Sequence, residues 1–326
     1  MKKVLLFFAT ALMLCLALPT MAQETNCFFL SFFTDTGYSR YDWRYEPLKT
    51  DKERGSLKGD VARVVTVVTD KTGRGYGENQ TDTTFFNAKG NIVKIITVRP
   101  NFNPSVKLRP TVIQYEYDTN GILREYAELK EVETMNGTNL QKHVHTMERD
   151  SKGNVVRDIY RAYSKESGDW KEFTSGDGVA WTFGYDANGK LVSGKGYLGM
   201  NLTYQNDQLT EMQEGTAKPA IFTYDAAGRL ISLKYYMMED DYEVSYSELS
   251  STLTYNERGD ISKAVKANWD CNSKWQRRRA NYSETYTFTY TYDAQGNWTK
   301  AVVYSKSGND PRRLAFSINR TITYHE

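Results

Sequence analysis

The sequence predicts an all-β fold, a long antiparallel meander of hairpins curled into a soluble barrel-like or open curved sheet. Three observations carry that expectation. The stretch TYTFTYTYDAQGNW, Thr285 to Trp298, alternates aromatic and threonine residues with the period of two that a half-buried strand requires. The turn that ends it recurs along the chain. The prolines Pro47, Pro100, Pro104, Pro110, Pro219 and Pro311 all fall outside the segments read as strands, as a sheet demands.

Taken in order, the chain opens with Lys2 and Lys3, an apolar run from Val4 to Leu18, the helix-breaking Pro19 and the small-residue site Thr20-Met21-Ala22. This reads as a secretory signal peptide cleaved after Ala22 in preference to a membrane anchor, because the apolar run is short for a span. Residues 1–22 are thus the signal peptide, 23–56 an N-terminal segment and 57–326 the hairpin-repeat domain. Cleavage takes Lys2 and Lys3 from the 42 basic residues and leaves 40 against 40 acidic ones. A neutral chain lacks the electrostatic footprint of a nucleic-acid binder, and the run Arg277-Arg278-Arg279 reads as a solvated strand edge. The expected location is secreted, periplasmic or cell-surface, with no transmembrane insertion after cleavage.

The recurring turn appears as FNAKGNIVKI from Phe86, YDTNGILREY from Tyr117, RDSKGNVVRD from Arg149, YDANGKLVSG from Tyr185, YDAAGRLISL from Tyr224, YNERGDISKA from Tyr255 and YDAQGNWTKA from Tyr292. A decayed copy, YQNDQLTEM from Tyr204, lacks the glycine. Asp or Asn at the first turn position accepts from the backbone two residues on, and the fourth position must turn left-handed. Glycine, at Gly90, Gly121, Gly153, Gly189, Gly228, Gly259 and Gly296, does so without the cost of about 1–2 kcal/mol that a Cβ imposes. Each copy is therefore a type I turn with a glycine bulge, joining two antiparallel strands.

That geometry pairs Tyr292 with Trp298, Tyr185 with Leu191, Tyr224 with Leu230, Tyr255 with Ile261, Tyr117 with Leu123 and Phe86 with Ile92. Arg149, facing Val155, is the exception. Extrapolated along the last hairpin, the register pairs Tyr290 with Lys300, Phe288 with Val302 and Tyr286 with Tyr304. It places Lys94, Glu125, Lys195 and Lys300 on the aromatic face, which breaks the apolar band that a lipid-facing barrel needs. The opposite face carries Thr287, Thr289 and Thr291 in one hairpin but Ile231 and Leu233 in another, the mixture expected of a sheet that curls on itself. YAELKEVETM from Tyr126 has some helical spacing, but it runs on from a strand into Asn136-Gly137 and is read as strand.

The tyrosine-aspartate turns YDANGKLV, YDAAGRLI and YDAQGNWT resemble the YD repeat of Rhs-type proteins, over roughly Phe85 to Tyr304. LKGDVARVVTVVTD from Leu57 is similar to the strand that opens such repeats in small secreted bacterial proteins of unknown function, some of which have a porin-like β-barrel fold. The resemblance implies a barrel and secretion, together with binding to carbohydrate or a cell surface. The chain departs from the large Rhs proteins in its small repeat number and lack of a toxin-like domain, so a toxin-delivery role is not implied.

Binding is expected where the longer connections gather, at the end opposite the YD turns: from Val98, Glu133, Tyr163, Met237 and Asn268. Trp170, Trp269 and Trp275 in these segments are the candidate ligand-binding residues, able to stack on sugar rings or to close the end of the core. The partners expected are a polysaccharide or a cell-surface protein, the second by pairing with the sheet as an assembly module. Cys27 and Cys271 read either as one disulfide or as two unpaired small side chains. No Cys-x-x-Cys, Gly-x-Ser-x-Gly, His-Glu-x-x-His or phosphate-loop motif occurs, and no cofactor is expected. His143 and His145 face one side of a strand and read as an exposed pair in preference to a metal clip. Glu239-Asp240-Asp241 reads as a solvated turn, and Asp118, Asp186, Asp225 and Asp293 as turn caps. A non-enzymatic binding protein is the expectation. Against it stands a hydrolase whose paired carboxylates come from distant strands.

Overall fold

The structure is a computed structural model that describes residues 57–71, 80–99, 109–134, 137–166, 168–174, 176–196, 199–206, 208–214, 218–240 and 244–326. The segment read as a signal peptide, the 23–56 segment and Cys27 lie outside the described residues. Nineteen strands are present among the described residues. They begin with β1 (Val61–Asp70), β2 (Gln80–Phe86), β3 (Ile92–Val98), β4 (Thr111–Tyr117), β5 (Leu123–Thr134), β6 (Gly137–Arg149) and β7 (Val155–Glu166). The middle of the chain forms β8 (Asp169–Glu172), β9 (Val179–Tyr185), β10 (Leu191–Gly196), β11 (Met200–Gln205), β12 (Gln208–Glu214) and β13 (Ala220–Tyr224). Last come β14 (Leu230–Asp240), β15 (Val244–Tyr255), β16 (Ile261–Cys271), β17 (Arg277–Tyr292), β18 (Trp298–Ser307) and β19 (Arg313–Tyr324).

Each strand pairs antiparallel with its chain neighbours, except that β7 continues its pairing past the short β8 onto β9. β1 pairs with β2 on one side and β19 on the other, with Val64 opposite both Thr84 and Ile322. The sheet is therefore a closed barrel, and the choice between barrel and open sheet is resolved. At the seam, Asn297 fastens the lead into β1 to the last strand: its Nδ2 donates to the Lys58 carbonyl at 2.8 Å and to the Tyr324 hydroxyl at 2.9 Å.

The turns form as their residues dictate. In six of them the Asp or Asn Oδ1 accepts from the backbone N–H two and four residues on, as Asp225 does from Ala227 and Arg229 at 2.9 Å. The seven repeat glycines take φ between 77° and 87°. In the decayed copy Asn206 takes the left-handed angle instead, at φ 52°, and Gln205 pairs directly with Gln208.

Tyrosines leading into the turns also have a long-range task. Tyr117 donates its hydroxyl to the Ile92 carbonyl at 2.6 Å, Tyr185 to Val155 at 2.9 Å, Tyr224 to Leu209 at 2.8 Å and Tyr255 to Leu230 at 2.6 Å. In the last hairpin Tyr290, two residues before Tyr292, donates to Ile261 at 2.7 Å. The acceptor in every case stands at the start of the return strand of the preceding hairpin, so each of these hairpins is stitched to the one before. Arg149 serves the same purpose: its Nη2 donates to the Leu123 carbonyl at 2.8 Å and its Nη1 to that of Gly153 at 2.7 Å. Burial of the ring pushes the Tyr224 and Tyr290 hydroxyls well above the usual phenol range, keeping them protonated donors.

All six pairs of an aromatic with a large apolar residue beside the turns are present, from Phe86 with Ile92 to Tyr292 with Trp298. The extrapolated register is not. A second bulge, one residue past each pair, advances the return strand, so Tyr290 faces Ala301, Phe288 faces Val303 and Tyr286 faces Ser305. Lys300 is thereby moved opposite Thr291, Lys94 opposite Phe85, Glu125 opposite Glu116 and Lys195 opposite Thr182. These four charges stand on the outer face, not the aromatic one, because one extra residue in a period-two strand reverses every side chain beyond it.

The aromatic face lines the barrel interior, where one continuous core runs from Val61 and Phe86 through Tyr126, Phe222 and Phe288 to Phe316 and Ile318. Of the segments read as long connections, the described residues of those from Glu133, Tyr163, Met237 and Asn268 are largely strand, while most of the one from Val98 lies outside the described residues. Trp170 is in β8 and Trp269 in β16, while Tyr126 lies in β5 as expected. Their irregular polarity hid the period because these strand ends carry polar side chains on both faces.

Candidate functional site

At the end opposite the YD turns, the outer face of β14 to β17 gathers an aromatic patch. Tyr236 faces Glu248 across β14 and β15, Glu248 faces Trp269, and Tyr246 faces Cys271 across β15 and β16, so these side chains share one face. The β16–β17 hairpin adds Trp275. Its turn, Asn272-Ser273-Lys274-Trp275-Gln276, repeats the YD-turn geometry with tryptophan in the glycine place. Asn272 Oδ1 accepts from Lys274 and Gln276 at 2.9 Å, and Trp275 sits at φ 61°.

Two tyrosines meet that indole edge-on. Trp275 lies 5.4 Å from Tyr236 at 72° and 5.0 Å from Tyr246 at 85°. Lys218 places its ammonium 3.7 Å from the Tyr236 ring centre and 5.6 Å from that of Trp275. Trp269 donates Nε1 to Ser250 Oγ at 3.3 Å and is covered on one side by the Arg277 guanidinium at 4.5 Å. Arg277 in turn pairs with Glu248, buried beneath it. The patch thus offers aromatic faces flanked by fixed hydrogen-bonding groups, the combination that stacks on and orients a polar ring.

The structure brings Trp269 and Trp275 to one surface and leaves Trp170 elsewhere, on β8, 41% exposed with Lys165 at 5.9 Å from its ring. Tyr236, Tyr246 and Lys218 were missed from the sequence. The signal for the turn was present, since NSKWQ matches the repeat at every turn position but the fourth. Cys271 is a buried thiol with Sγ 3.7 Å from the Trp269 carbonyl, and burial pushes its pKa up.

A second polar cluster lies inside the barrel. His145 Nδ1 is 2.9 Å from Asp158 and its ring stacks on Tyr126 at 4.5 Å. His143 Nδ1 is 2.6 Å from the Tyr160 hydroxyl and Nε2 is 3.2 Å from Gln141 Oε1. Glu128 pairs with Lys130 at 2.9 Å. The histidines do share one side of β6, as expected, but the exposed-pair reading is corrected: that side is the interior, and His143 is buried. Burial, with Lys130 and His145 adding repulsion, lowers the His143 pKa to about 3, and burial raises those of Glu128 and Asp82. Among the described residues no three His, Cys, Asp or Glu side chains are grouped to hold a metal ion. Glu128 and Asp158 are each 1% exposed.

No protein-family model matches the chain, and no curated protein matches it. Among solved structures it is similar to a porin-like protein from Bacteroides uniformis, at 12% identity and a TM-score of 0.28, over 82% of this chain and 99% of that one. A porin-like protein from Bacteroides vulgatus is similar at 12% identity and a TM-score of 0.29, with the same coverage. A structure of TcdB2-TccC3-TEV is similar at 14% identity and a TM-score of 0.20, over 72% of this chain and 15% of that one. Likenesses at these scores carry no argument about function, and the barrel rests on the strand pairing of this chain.

Proposed function

We propose that the protein is a non-enzymatic, secreted β-barrel that binds a glycan or another cell-envelope or surface component through the Trp269 and Trp275 patch. The observation that supports this most is the conformation of Trp275. A left-handed residue with a side chain costs about 1–2 kcal/mol, and the other turns of this type use glycine there. Strain of this kind persists where the side chain has a task, here presenting an indole on the outer face beside Tyr236 and Tyr246. The charged leader, Lys2 and Lys3 before Val4 to Leu18, supports export to the periplasm or cell surface.

The test is binding of the mature chain to a polysaccharide panel, compared with Trp269→Ala plus Trp275→Ala. Loss of at least about tenfold in affinity in a variant that keeps its β-sheet circular dichroism is expected, since stacked rings dominate such binding. Unchanged affinity in the folded variant removes the site. The assembly-module reading draws on β8, which is exposed along its whole length and carries Trp170, 41% exposed. A stoichiometric protein partner lost on Trp170→Ala, with no polysaccharide bound, would favour it.

A further inference from the structure

We infer that two copies of this chain pair edge to edge through β8; the inference is independent of the polysaccharide patch and names the occupant of the edge on which the assembly-module reading draws. Among the described residues β8 pairs with β7 alone, from Tyr163 opposite Glu172 to Glu166 opposite Asp169. β9 meets β7 only at Arg157 to Ile159, so beyond Ile159 the wall of the barrel ends at β8. The backbone there is open on one side. Phe173 N–H donates to the Ala162 carbonyl at 2.9 Å, and in an antiparallel ladder every second residue bonds to the same neighbour. Lys171 and Asp169 therefore turn their backbone groups to β7, and Trp170 turns its N–H and C=O to the free edge.

The side chains select what can pair there. Charges on an edge strand ordinarily repel a neighbour, but here Asp169 and Lys171 flank Trp170 with opposite signs. Two free edges bond only where outward-turned residues meet, so for copies related by a two-fold axis the registers to compare are those centred on Asp169, Trp170 and Lys171. Centring on Asp169 sets two aspartates face to face, and centring on Lys171 sets two lysines face to face. Centring on Trp170 sets Asp169 of each copy opposite Lys171 of the other, and the two Trp170 residues exchange both backbone hydrogen bonds. Opposed residues project to one face, so the ion pairs form on the face that continues from Ser164. The indoles meet on the other face, where Lys165 lies 5.9 Å from the ring. Glu172, the remaining charge on the strand, is met within its own chain by Arg161 at 3.4 Å. Lys165 and Glu166 stand on β7, one strand removed from the edge. The free edge is thus complementary to a second copy of itself in a single register.

Sedimentation velocity of the mature chain tests this. A contact between four-residue strands buries little area, so dimers are expected at about 10–100 μM and monomers near about 1 μM. Asp169→Lys alone and Lys171→Glu alone should each weaken self-association by at least about tenfold, because each variant meets its own copy with like charges. Both should keep the unmutated chain's thermal midpoint, since the two positions are exposed. Mixed at equal concentration, the two variants should pair with each other as strongly as the unmutated chain pairs with itself, because opposite charges then meet at both positions. An unmutated chain that stays monomeric at about 100 μM overturns the inference. So does self-association unchanged in either variant, or a mixture of the two folded variants that remains monomeric. A chain that is monomeric by sedimentation yet captures a different protein, lost on Trp170→Ala, overturns the second copy and leaves the assembly-module reading standing.

Discussion

At the scale of single residues, the tyrosine before four of the turns, Tyr117, Tyr185, Tyr224 and Tyr255, does two jobs, and the sequence displays only one. Its ring reads plainly as a core aromatic, paired with an aliphatic residue beside the turn. Its hydroxyl bond to a carbonyl in the preceding hairpin is invisible in sequence, because the acceptor is a backbone group that every residue possesses. Arg149 makes the point most clearly: by type it breaks the repeat, by geometry it keeps it. Arg149→Ala should cost about 1–3 kcal/mol, since it removes two charge-assisted bonds and leaves the Leu123 carbonyl without this donor. Arg149→Tyr should recover more than half of that loss in urea denaturation. Equal destabilisation by Ala and Tyr would show that the stitch contributes little there.

At the scale of elements, turn chemistry was legible and strand register was not. Asp225 to Arg229 prescribes its own hydrogen bonds, and each turn falls where its aspartate and glycine put it. The second bulge has no such signature, because Thr299 and Lys300 suit either face of an exposed strand equally well. One unseen residue was enough to send Lys300 to the wrong side. The β16–β17 turn failed to be read for a different reason: tryptophan occupies a position for which sequence rules expect glycine. Trp275→Gly tests what it does there. Relief of left-handed strain, about 1–2 kcal/mol, should largely offset removal of the edge-on packing with Tyr236 and Tyr246, each pair being worth about 0.5–1.5 kcal/mol. The thermal midpoint should thus move by only a few degrees while polysaccharide binding disappears. Full binding by the glycine variant would reduce Trp275 to a capping residue.

At the scale of the whole molecule, the sequence conveyed a curled meander but not its closure, since the pairing of β1 with β19 joins segments that share no local signal. It also gave no warning of the charged groups inside. His143 has a folded pKa of about 3 against an ordinary value of 6.5, so the native state binds the proton less well than the unfolded chain. Its contribution is complete above about pH 6.5 and is lost as pH falls towards about 3. Glu128 and Asp82, with raised values, act in the opposite sense: their contributions are fullest in acid and fade as pH rises. The groups facing His143 are Glu128, Lys130, Gln141, His145, Tyr160 and Phe173. His143→Gln should therefore flatten the fall in stability between about pH 7 and pH 4 seen by calorimetry, with a limiting slope change near 1.4 kcal/mol per pH unit. Parallel curves for the two proteins would place acid sensitivity elsewhere.

Closure of the ring has a consequence of a different kind. In a linear array of repeats the outermost units lack a neighbour, fray first and need special capping sequences. Here the last hairpin meets the first strand, Tyr324 and Asn297 fastening it to the lead-in at Lys58. Apart from the short β8, every strand has a neighbour on both sides. Among the described strands such an assembly offers no free edge at the ends of the array from which to peel, so its units stand or fall as one, and copies as worn as the one at Tyr204 survive in the company of the rest.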